Sequence, residues 1–472
     1  MTINSFSAKG VNGYLEFDMK FDKSLTFLTG INGSGKTSVL KLVLGLISPS
    51  LSLLSQINFT AVKLVCSVKL RGDIQILAYR NDDELEFQFK PKGGQILKNK
   101  IKIFSLNSNQ DGLTPDERNA KNALIRQQFE DMDSVKAIRK LATPIFLGLD
   151  RKIYEGRRVD RERTAFFTRS TLRASSNDPL NQSLAETQEL VFSFVRKMAK
   201  EQPRIADVLK EKVMRESFNF IESDKLFDAK TINYILNKKK SVDQIVENLE
   251  TETLKADVEK FFEKLVQAQE EINAILKTNP FAEDKYLKSE KKAEESRARY
   301  IKVLSNLTVN LQQIKRFDEI TKFNEEYKTK LIALREPIQR LEKIVAAFFK
   351  EAGKKLKIGD DGEIKIFLPN GKETTIYDLS SGEKQILIMI THLIFYEDTK
   401  ESGVFIIDEP ELSLHLAWQQ IFVDAVLIAS PKTQFIMATH SPSIIARPER
   451  EKNCEDVTKL NRIRAEVSTP LF

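Results

Sequence analysis

The chain has 472 residues, of which 30% are charged and 41% hydrophobic, and its formal net charge is +7. This length exceeds what one compact core usually holds and predicts two or three structural units. No run of about 18 apolar residues is present, which excludes a membrane-spanning helix, and the N-terminal residues lack the pattern of a secretory signal. Two distant cysteines, Cys66 and Cys454, make no disulfide framework, so we expect a soluble, cytoplasmic protein. The positive charge permits a nucleic-acid partner without requiring one.

The first 150 residues alternate short apolar runs with turns, which predicts a β-rich lobe. Residues 15–19 and 62–68 have the period-two pattern of half-buried strands. Residues 74–89 are expected to form an antiparallel hairpin around a charged turn. Residues 144–149 are expected to be the last strand of this lobe.

A glycine-rich segment lies between a predicted buried strand, residues 25–28, and an amphipathic run, residues 39–44. In this context the free amides at the start of a helix converge on one point and bind phosphate. Glycine lets the backbone approach the phosphates closely, lysine adds a positive charge, and a threonine hydroxyl can bind Mg²⁺. The alternative is an ordinary glycine turn. The expected nucleotide ligands are Asn32, Gly33, Ser34, Gly35, Lys36, Thr37 and Ser38, with Thr37 also binding Mg²⁺.

From about Leu184 to Gly353 the chain has no internal glycine, and apolar residues recur at helical spacing. This pattern predicts a helical insertion of several helices, the last two at about 282–314 and 316–352. A helix of about 30 residues is roughly 45 Å long, so we expect a short arm. Three prolines are expected to interrupt the helices: Pro203, Pro280 and Pro337.

Residues 157–169, which join the lobe to the insertion, mix arginines with aromatic side chains. Such a mixture suits contact with a phosphate backbone. Interleaved acidic residues favour a solvated linker or a surface for a partner protein instead.

A second α/β segment follows the insertion and begins with a predicted strand at 363–368 and a turn at 369–371. Val404–Ile407 is a continuous apolar run, as in a central parallel strand covered on both faces. Ligands of open α/β sheets bind at the carboxyl ends of such strands. We therefore expect Asp408 to bind Mg²⁺ and Glu409 to polarise the attacking water. The alternative is a charged strand end near a turn.

Ser380 and Glu383 precede the apolar run 386–395 with the spacing of a capping box at a helix start. A capping box alone requires no ligand. With Ser381 and Gly382, however, it presents a positively polarised helix end rich in hydrogen-bond donors, which can bind a phosphate that another subunit brings.

His440 is one of three histidines and ends another predicted buried strand, at the same sheet edge as Asp408. A lone histidine is more often structural than catalytic. Its position nevertheless favours contact with a γ-phosphate.

These motifs occur in the order of a known family. Gly30–Thr37 resembles Walker A, Leu379–Glu383 the ABC signature, Ile407–Glu409 Walker B, and Thr439–His440 the switch histidine. The chain therefore resembles an ABC-type ATPase, and it is most similar to the soluble branch of Rad50, SMC, RecF and the overcoming-lysogenisation-defect nucleases. The resemblance covers about 1–150 and 354–446.

The resemblance implies an α/β fold: a P-loop ABC-ATPase head, with a β-rich lobe and an α/β lobe, interrupted by a helical or short coiled-coil insertion. The expected domains are 1–150 with Walker A, 151–353 as the insertion, and 354–472 with the signature, Walker B and switch histidine. ATP and Mg²⁺ are the implied ligands.

The resemblance also implies a head-to-head dimer in which Ser380 and Gly382 act on the partner's nucleotide and Ser413–Trp418 links the two sites. Two positions depart from the family: Ser381 replaces the usual glycine, and Glu383 replaces a common glutamine. The glutamine loop of the family could lie at Gln110 or in the stretch around Asp150 and Arg151.

The insertion has no cysteine, which excludes the Rad50 hook, and too few residues follow His440 for a nuclease domain. Compact ATPases of this build resemble subunits of bacterial anti-phage systems, first that of Septu, paired with an HNH nuclease, and then that of PARIS, paired with a Toprim effector. This implies an oligomeric ATPase that controls a separate effector nuclease. One alternative is a RecF-like repair ATPase that binds duplex DNA. Another is a transport ATPase subunit, against which the large insertion argues.

Overall fold

The computed structural model describes residues 1–68, 72–81, 84–102, 115–141, 145–147, 153–155, 179–217, 252–277, 290–395 and 403–459. The chain divides into two compact units. The head unit is Met1–Arg196 with Pro337–Phe472, and the helical unit is Lys197–Glu336. The expected three-part division at residues 150 and 353 stays a prediction.

An antiparallel sheet of the head unit has the strand order β2-β1-β4-β5-β6-β7. Its strands are β1 Thr2–Val11, β2 Leu15–Lys20, β4 Ala61–Val68, β5 Gly72–Arg80, β6 Glu84–Pro91 and β7 Leu97–Lys102. Alternate residues are buried, for example Val62, Leu64 and Cys66, because successive side chains of a strand point to opposite faces. The strands and the hairpin predicted from this alternation are confirmed.

A second six-stranded sheet of the head unit has the order β15-β3-β14-β13-β8-β9. Its strands are β3 Leu25–Thr29, β8 Ile145–Leu147, β9 Ile153–Glu155, β13 Val404–Asp408, β14 Gln434–Ala438 and β15 Cys454–Asp456. All neighbouring pairs are parallel except β8 with β9. Every residue of β13 and β14 is buried, as predicted for central strands.

The strand expected at 144–149 is present as β8, but it pairs with β13 in the parallel sheet and not with the antiparallel lobe. Its continuous apolar run, without alternation, suits a parallel sheet covered on both faces.

A small antiparallel sheet of the head unit contains β10 Lys355–Ile358, β11 Ile364–Phe367 and β12 Glu373–Thr374. It confirms the strand predicted at 363–368 and the turn after it.

The described α-helices are α1 Lys36–Ile47, α2 Leu51–Ser55, α3 Pro115–Asp131, α4 Asp133–Arg139, α5 Pro179–Ser217, α6 Glu252–Lys277, α7 Glu290–Phe349, α8 Ser381–Phe395, α9 Leu416–Ala429 and α10 Pro442–Ile445. None of these helices has both the length and the apolar character that crossing a bilayer needs. In the helical unit, apolar side chains of α6 and α7 form one core cluster: Phe262, Leu265, Ile272, Leu307 and Ile314.

The helices are longer than the sequence predicted. α7 is a single helix of 60 residues, so the break expected between 282–314 and 316–352 is wrong. At 1.5 Å per residue this helix is about 90 Å long, and the expected length of 45 Å is also wrong.

Pro203 lies inside α5 and Pro337 inside α7, so the interruptions expected at both are wrong. A proline removes one backbone hydrogen bond and can kink a helix, whereas most helical stability in proteins comes from packing. Pro280, the stretch 157–169 and the glutamine-loop candidates lie outside the described residues.

Candidate nucleotide-binding site

The turn between β3 and α1 has a backbone that requires glycine. Gly30, Gly33 and Gly35 have φ angles of 141°, 79° and 97°. A Cβ atom on Gly30 would lie 2.9 Å from Ser34 Oγ, and one on Gly35 would lie 2.8 Å from Phe17 Cζ. A residue with a side chain would be strained at all three positions, and at Gly30 and Gly35 its Cβ would also collide with these neighbours.

Lys36 is the first residue of α1, and its side chain is buried against this turn. Its Nζ donates hydrogen bonds to the carbonyl oxygens of Gly30 at 3.0 Å and Ile31 at 3.2 Å. Burial lowers the pKa of Lys36, and the negative charges of Glu409 and Asp408 oppose this effect. A positive charge therefore lies within the loop, where phosphate binding needs it.

The two distant halves of the predicted site meet at Thr37 and Asp408. Thr37 Oγ1 lies 3.5 Å from Asp408 Oδ1, although the residues are 371 positions apart. Asp408 is only 4% exposed, and burial raises its pKa to about 6 against the opposing hydrogen bond from Thr37. A hydroxyl and a carboxylate are the hard oxygen ligands that Mg²⁺ prefers, and a cation here would offset the cost of burying the charge.

The remaining residues of the loop also suit a polar ligand. Ser34 Oγ is buried and has no hydrogen-bond partner within the described part of the chain, which is uncommon for a buried hydroxyl. Asn32 and Gly33 are exposed. Ser38 Oγ accepts a long hydrogen bond, 3.5 Å, from Asn12 Nδ2 of the β1–β2 turn.

Glu409 has a left-handed backbone, with φ 49° and ψ 62°. Its N–H donates to the carbonyl oxygen of Ala438 at 2.9 Å. For a residue with a side chain this conformation costs about 1–3 kcal/mol, and such strain is concentrated at functional sites. It places the residue directly after the Asp408 end of β13.

His440 lies at the same edge of the sheet, two residues after β14, which pairs with β13. Glu411 contacts this segment: its Oε1 accepts a hydrogen bond from His440 N–H at 2.7 Å, and its Oε2 accepts one from Thr439 Oγ1 at 2.9 Å. No role was predicted for Glu411 from the sequence. The only signal in the sequence was that Glu411 is a further acidic residue shortly after Asp408 and Glu409.

The capping box at the start of α8 is confirmed. Ser380 N–H donates to Glu383 Oε2 at 2.7 Å, and Glu383 N–H donates to Ser380 Oγ at 3.4 Å. Lys354 Nζ also donates to both oxygens of Glu383, at 2.8 Å each. Burial acts to raise the pKa of Glu383, but the hydrogen bonds from Lys354 and Ser380 outweigh it and hold the pKa below its usual value.

The start of α8 is open to solvent, since Ser380 and Ser381 are exposed and Gly382 is half-buried. Among the described residues, no hydrogen bond joins these three to the phosphate loop. The structure thus brings together the loop, Asp408, Glu409 and the His440 segment.

The chain after His440 also contacts the phosphate loop. β15 lies parallel to β3, and Thr458 Oγ1 accepts a hydrogen bond from Ile31 N–H at 3.2 Å. Thr458 was not predicted from the sequence, because neither a hydrophobic pattern nor a motif marks β15 or the residues after it.

Comparison with known proteins decides the family. A family model described as an AAA ATPase domain matches residues 1–445. The chain belongs to the AAA ATPase domain family. The predicted fold class, a P-loop ABC-type ATPase head with a helical insertion, is confirmed by the two sheets, the P-loop and this family match. The roles predicted for individual site residues stay predictions.

The chain is 33% identical over 94 residues to the "Retron Vc95 probable ATPase" of Vibrio cholerae serotype O1 biovar El Tor. The alignment covers 18% of the chain and 18% of that relative, so the chain matches less than a fifth of the relative's length.

Similar solved structures include three SMC head domains. That of Pyrococcus furiosus, bound to the C-terminal domain of ScpA, is 14% identical, with 94% of this chain and 91% of that chain covered and a TM-score of 0.37. That of Pyrococcus yayanosii is 13% identical, with 94% and 93% covered and a TM-score of 0.36. That of Thermotoga maritima is 10% identical, with 94% and 91% covered and a TM-score of 0.33.

Proposed function

We propose that this protein binds ATP with Mg²⁺ and hydrolyses it at the site between the phosphate loop and the end of β13. The observation that carries the proposal is the 3.5 Å approach of Thr37 Oγ1 to Asp408 Oδ1. This pair unites a phosphate-binding loop with an acidic strand end in a member of the AAA ATPase domain family. Thr37 and Asp408 would hold Mg²⁺, which supplies charge stabilisation at the phosphate oxygens.

Each remaining residue has a distinct task in this proposal. The amides of residues 32–38 and the ammonium group of Lys36 bind the phosphates. Glu409 orients a water molecule and accepts its proton as the oxygen attacks the γ-phosphorus, while the bond to the β-phosphate oxygen breaks and ADP leaves. His440 contacts the γ-phosphate from the same sheet edge.

The test is Glu409→Gln, which keeps the shape of the side chain but removes the proton acceptor. We expect ATP affinity to remain and turnover to fall by about 10²- to 10⁴-fold, the usual contribution of a general base. Equilibrium binding of labelled ATP and phosphate release measure the two quantities. Glu449→Gln, the same change at an exposed glutamate, is the matched control.

Normal turnover in Glu409→Gln would remove Glu409 from this role. Lys36→Ala examines the loop separately and should weaken ATP binding, because the loop loses its buried cation. Unchanged affinity in that variant would discredit the phosphate-loop assignment itself.

We further propose that the ATPase acts as a head-to-head dimer that controls a separate effector nuclease in anti-phage defence. An HNH nuclease, as in Septu, is favoured over a Toprim effector. The partial relative is named as the probable ATPase of a retron, which supports a role as one component of a larger system. The exposed start of α8, with Ser380, Ser381 and Gly382, supports a nucleotide sandwiched between two copies.

Co-expression with the product of a neighbouring nuclease gene tests this second proposal. We expect the two proteins to co-purify and to lower phage plating together, with Glu409→Gln abolishing the response to infection. Protection by the ATPase alone would contradict it.

The net charge of +7 is compatible with one alternative, a RecF-like ATPase that binds duplex DNA directly. Its signature would be tight DNA binding by the purified protein that falls steeply with salt, because bound Lys and Arg release counterions from DNA.

A further inference from the structure

Glu411 connects two loops at the edge of the parallel sheet. It lies in the short 3₁₀ helix Pro410–Ser413 after β13, and both of its carboxylate oxygens are used. Oε1 accepts from the backbone N–H of His440 at 2.7 Å, and Oε2 accepts from the hydroxyl of Thr439 at 2.9 Å. Hydrogen bonds to a charged acceptor are roughly twice as strong as neutral ones. One side chain therefore anchors two consecutive residues after β14.

This anchor matters because it holds the backbone from which the His440 side chain extends. Thr439 is buried, with 1% of its surface exposed, whereas His440 is exposed. Within the described part of the chain, no hydrogen bond reaches the His440 ring. The position of the imidazole therefore depends on the backbone at residue 440, whose N–H is bonded to Glu411.

A second set of hydrogen bonds joins the same two loops. Ser441 Oγ donates to Gln419 Oε1 at 2.7 Å, and Gln419 Nε2 donates to the carbonyl oxygen of Leu414 at 2.9 Å. Gln419 belongs to α9, which follows the 3₁₀ helix of Glu411. A displacement of residues 410–419 would therefore move the His440 segment with it.

Glu411 could also act through charge alone. Its carboxylate is among the negative groups that act to raise the pKa of Lys36, after Glu409 and Asp408. The two roles make different demands on the side chain: positioning needs hydrogen-bonding atoms in place, whereas support of Lys36 needs a negative charge.

We propose that Glu411 is a positioning residue for ATP hydrolysis, which fixes Thr439 and His440 so that the imidazole faces the γ-phosphate. The inference rests on the proposed function, since it gives His440 its task.

The experiment compares kcat, KM and ATP affinity in wild type, Glu411→Ala, Glu411→Gln, His440→Ala and the double variant Glu411→Ala/His440→Ala. In Glu411→Ala we expect kcat to fall about tenfold to a hundredfold, as for a misplaced catalytic group, with KM within about twofold. Glu411→Gln should stay within about threefold of wild type, because its carbonyl accepts from His440 N–H and its amide can donate to Thr439 Oγ1.

The double variant separates positioning from other effects. Once the imidazole is gone there is nothing to position, so Glu411→Ala should lower kcat by less than about twofold in the His440→Ala background. An equal loss in both backgrounds would overturn the inference. So would a glutamine variant as defective as the alanine variant, since that result indicates a charge effect.

Two further variants keep the result interpretable. Glu449→Ala, at an exposed glutamate, should leave kcat unchanged. If Glu411→Ala does not fold, Thr439→Val removes one of the two donors with little change in shape, and a normal kcat in this variant would overturn the inference. Absence of ATP turnover in wild type would overturn the proposed function as well, whereas the outcomes above overturn the inference alone.

Discussion

At the scale of single residues, Lys354 and Glu383 form an ion pair at the start of α8, where the Glu383 side chain is 5% and the Lys354 side chain 20% exposed. Glu383 stands where the ABC signature, which this segment resembles, often has a glutamine. A buried carboxylate is costly unless it is paired and hydrogen-bonded. Lys354 supplies the pairing with one bond to each oxygen, and the Ser380 N–H supplies a further bond. The charge of the buried Glu383 is thus compensated by residues of the head unit itself.

Removing Lys354 should therefore destabilise the head unit strongly. We expect Lys354→Ala to lower the free energy of unfolding by about 3–5 kcal/mol, because the buried Glu383 loses its charged partner and keeps only the hydrogen bond from Ser380 N–H. Lys357→Ala is the matched control, since Lys357 is 64% exposed and pairs with Glu342 at 3.2 Å. It should cost about 1 kcal/mol or less.

Urea unfolding of the full chain measures both variants. The double variant Lys354→Ala/Glu383→Gln should recover part of the loss, because no buried charge remains. Equal effects of the two lysine substitutions would show that burial of this pair has no energetic consequence.

Residues of the site could be predicted from the sequence where they belong to a motif that has a local physical cause. The glycines of the phosphate loop, Lys36 and the capping box each follow from backbone geometry within a few positions. Glu411 and Thr458 were not predictable, because their hydrogen-bond partners lie 29 and 427 positions away. A single sequence reveals such a distant pair only where each partner lies in a motif of its own, as Thr37 and Asp408 do.

At the scale of elements, α8 combines the capping box at its start with a buried histidine near its end. His392 is 3% exposed, and burial lowers its pKa to about 4. An unfolded chain would bind a proton at this side chain near pH 6.5, whereas the folded chain binds it only near pH 4. Protonation therefore favours the unfolded state between these values.

We expect the protein to become less stable as the pH falls, because His392 is protonated more readily in the unfolded chain. Between pH 7 and pH 5 its contribution to the free energy of unfolding should fall by about 2 kcal/mol. Chemical unfolding of wild type and His392→Gln at both pH values measures the contribution as the difference between their pH slopes. His415→Gln, at an exposed histidine, is the control. Parallel pH slopes for wild type and His392→Gln would contradict the assignment.

Periodicity predicted strands better than it predicted the ends of helices. The alternation in β2, β4, β5 and β6 is a local consequence of one buried face, and the strands lie where it indicated. The helix breaks expected from the prolines were wrong where the structure tests them, since Pro203 lies inside α5 and Pro337 inside α7. Shortly after Pro337, the side chains of Leu341 and Val345 are fully buried. Such packing outweighs one missing hydrogen bond, and the sequence alone did not reveal it.

At the scale of the whole molecule, the head unit is assembled from distant parts of the chain. The parallel sheet places β3 beside β14 and β15, which lie more than 400 residues later. Gln434 secures this junction: its Nε2 donates to the carbonyl oxygens of Ile3 and Asp22, and its Oε1 accepts from Ile3 N–H. The nucleotide site therefore exists only when both ends of the chain have folded together.

The dimer proposal makes a prediction about mixed subunits. A sandwiched nucleotide would contact Lys36 of one copy and Ser380 of the other, so Lys36→Ala and Ser380→Arg alone should each be inactive. A mixed dimer of the two would contain one site with both defects and one intact site. Random pairing puts half of the molecules in mixed dimers, so turnover should return to about a quarter of wild type.

The matched control mixes Lys36→Ala with Glu409→Gln. Both residues belong to the same head, where Thr37 and Asp408 meet, so each site of that mixed dimer carries one defect and no turnover should return. Phosphate release after mixing and re-equilibrating the purified variants distinguishes the cases. Recovery in neither mixture would show that each copy completes its own site, and recovery in both would show that the phosphate loop and Glu409 do not serve the same nucleotide.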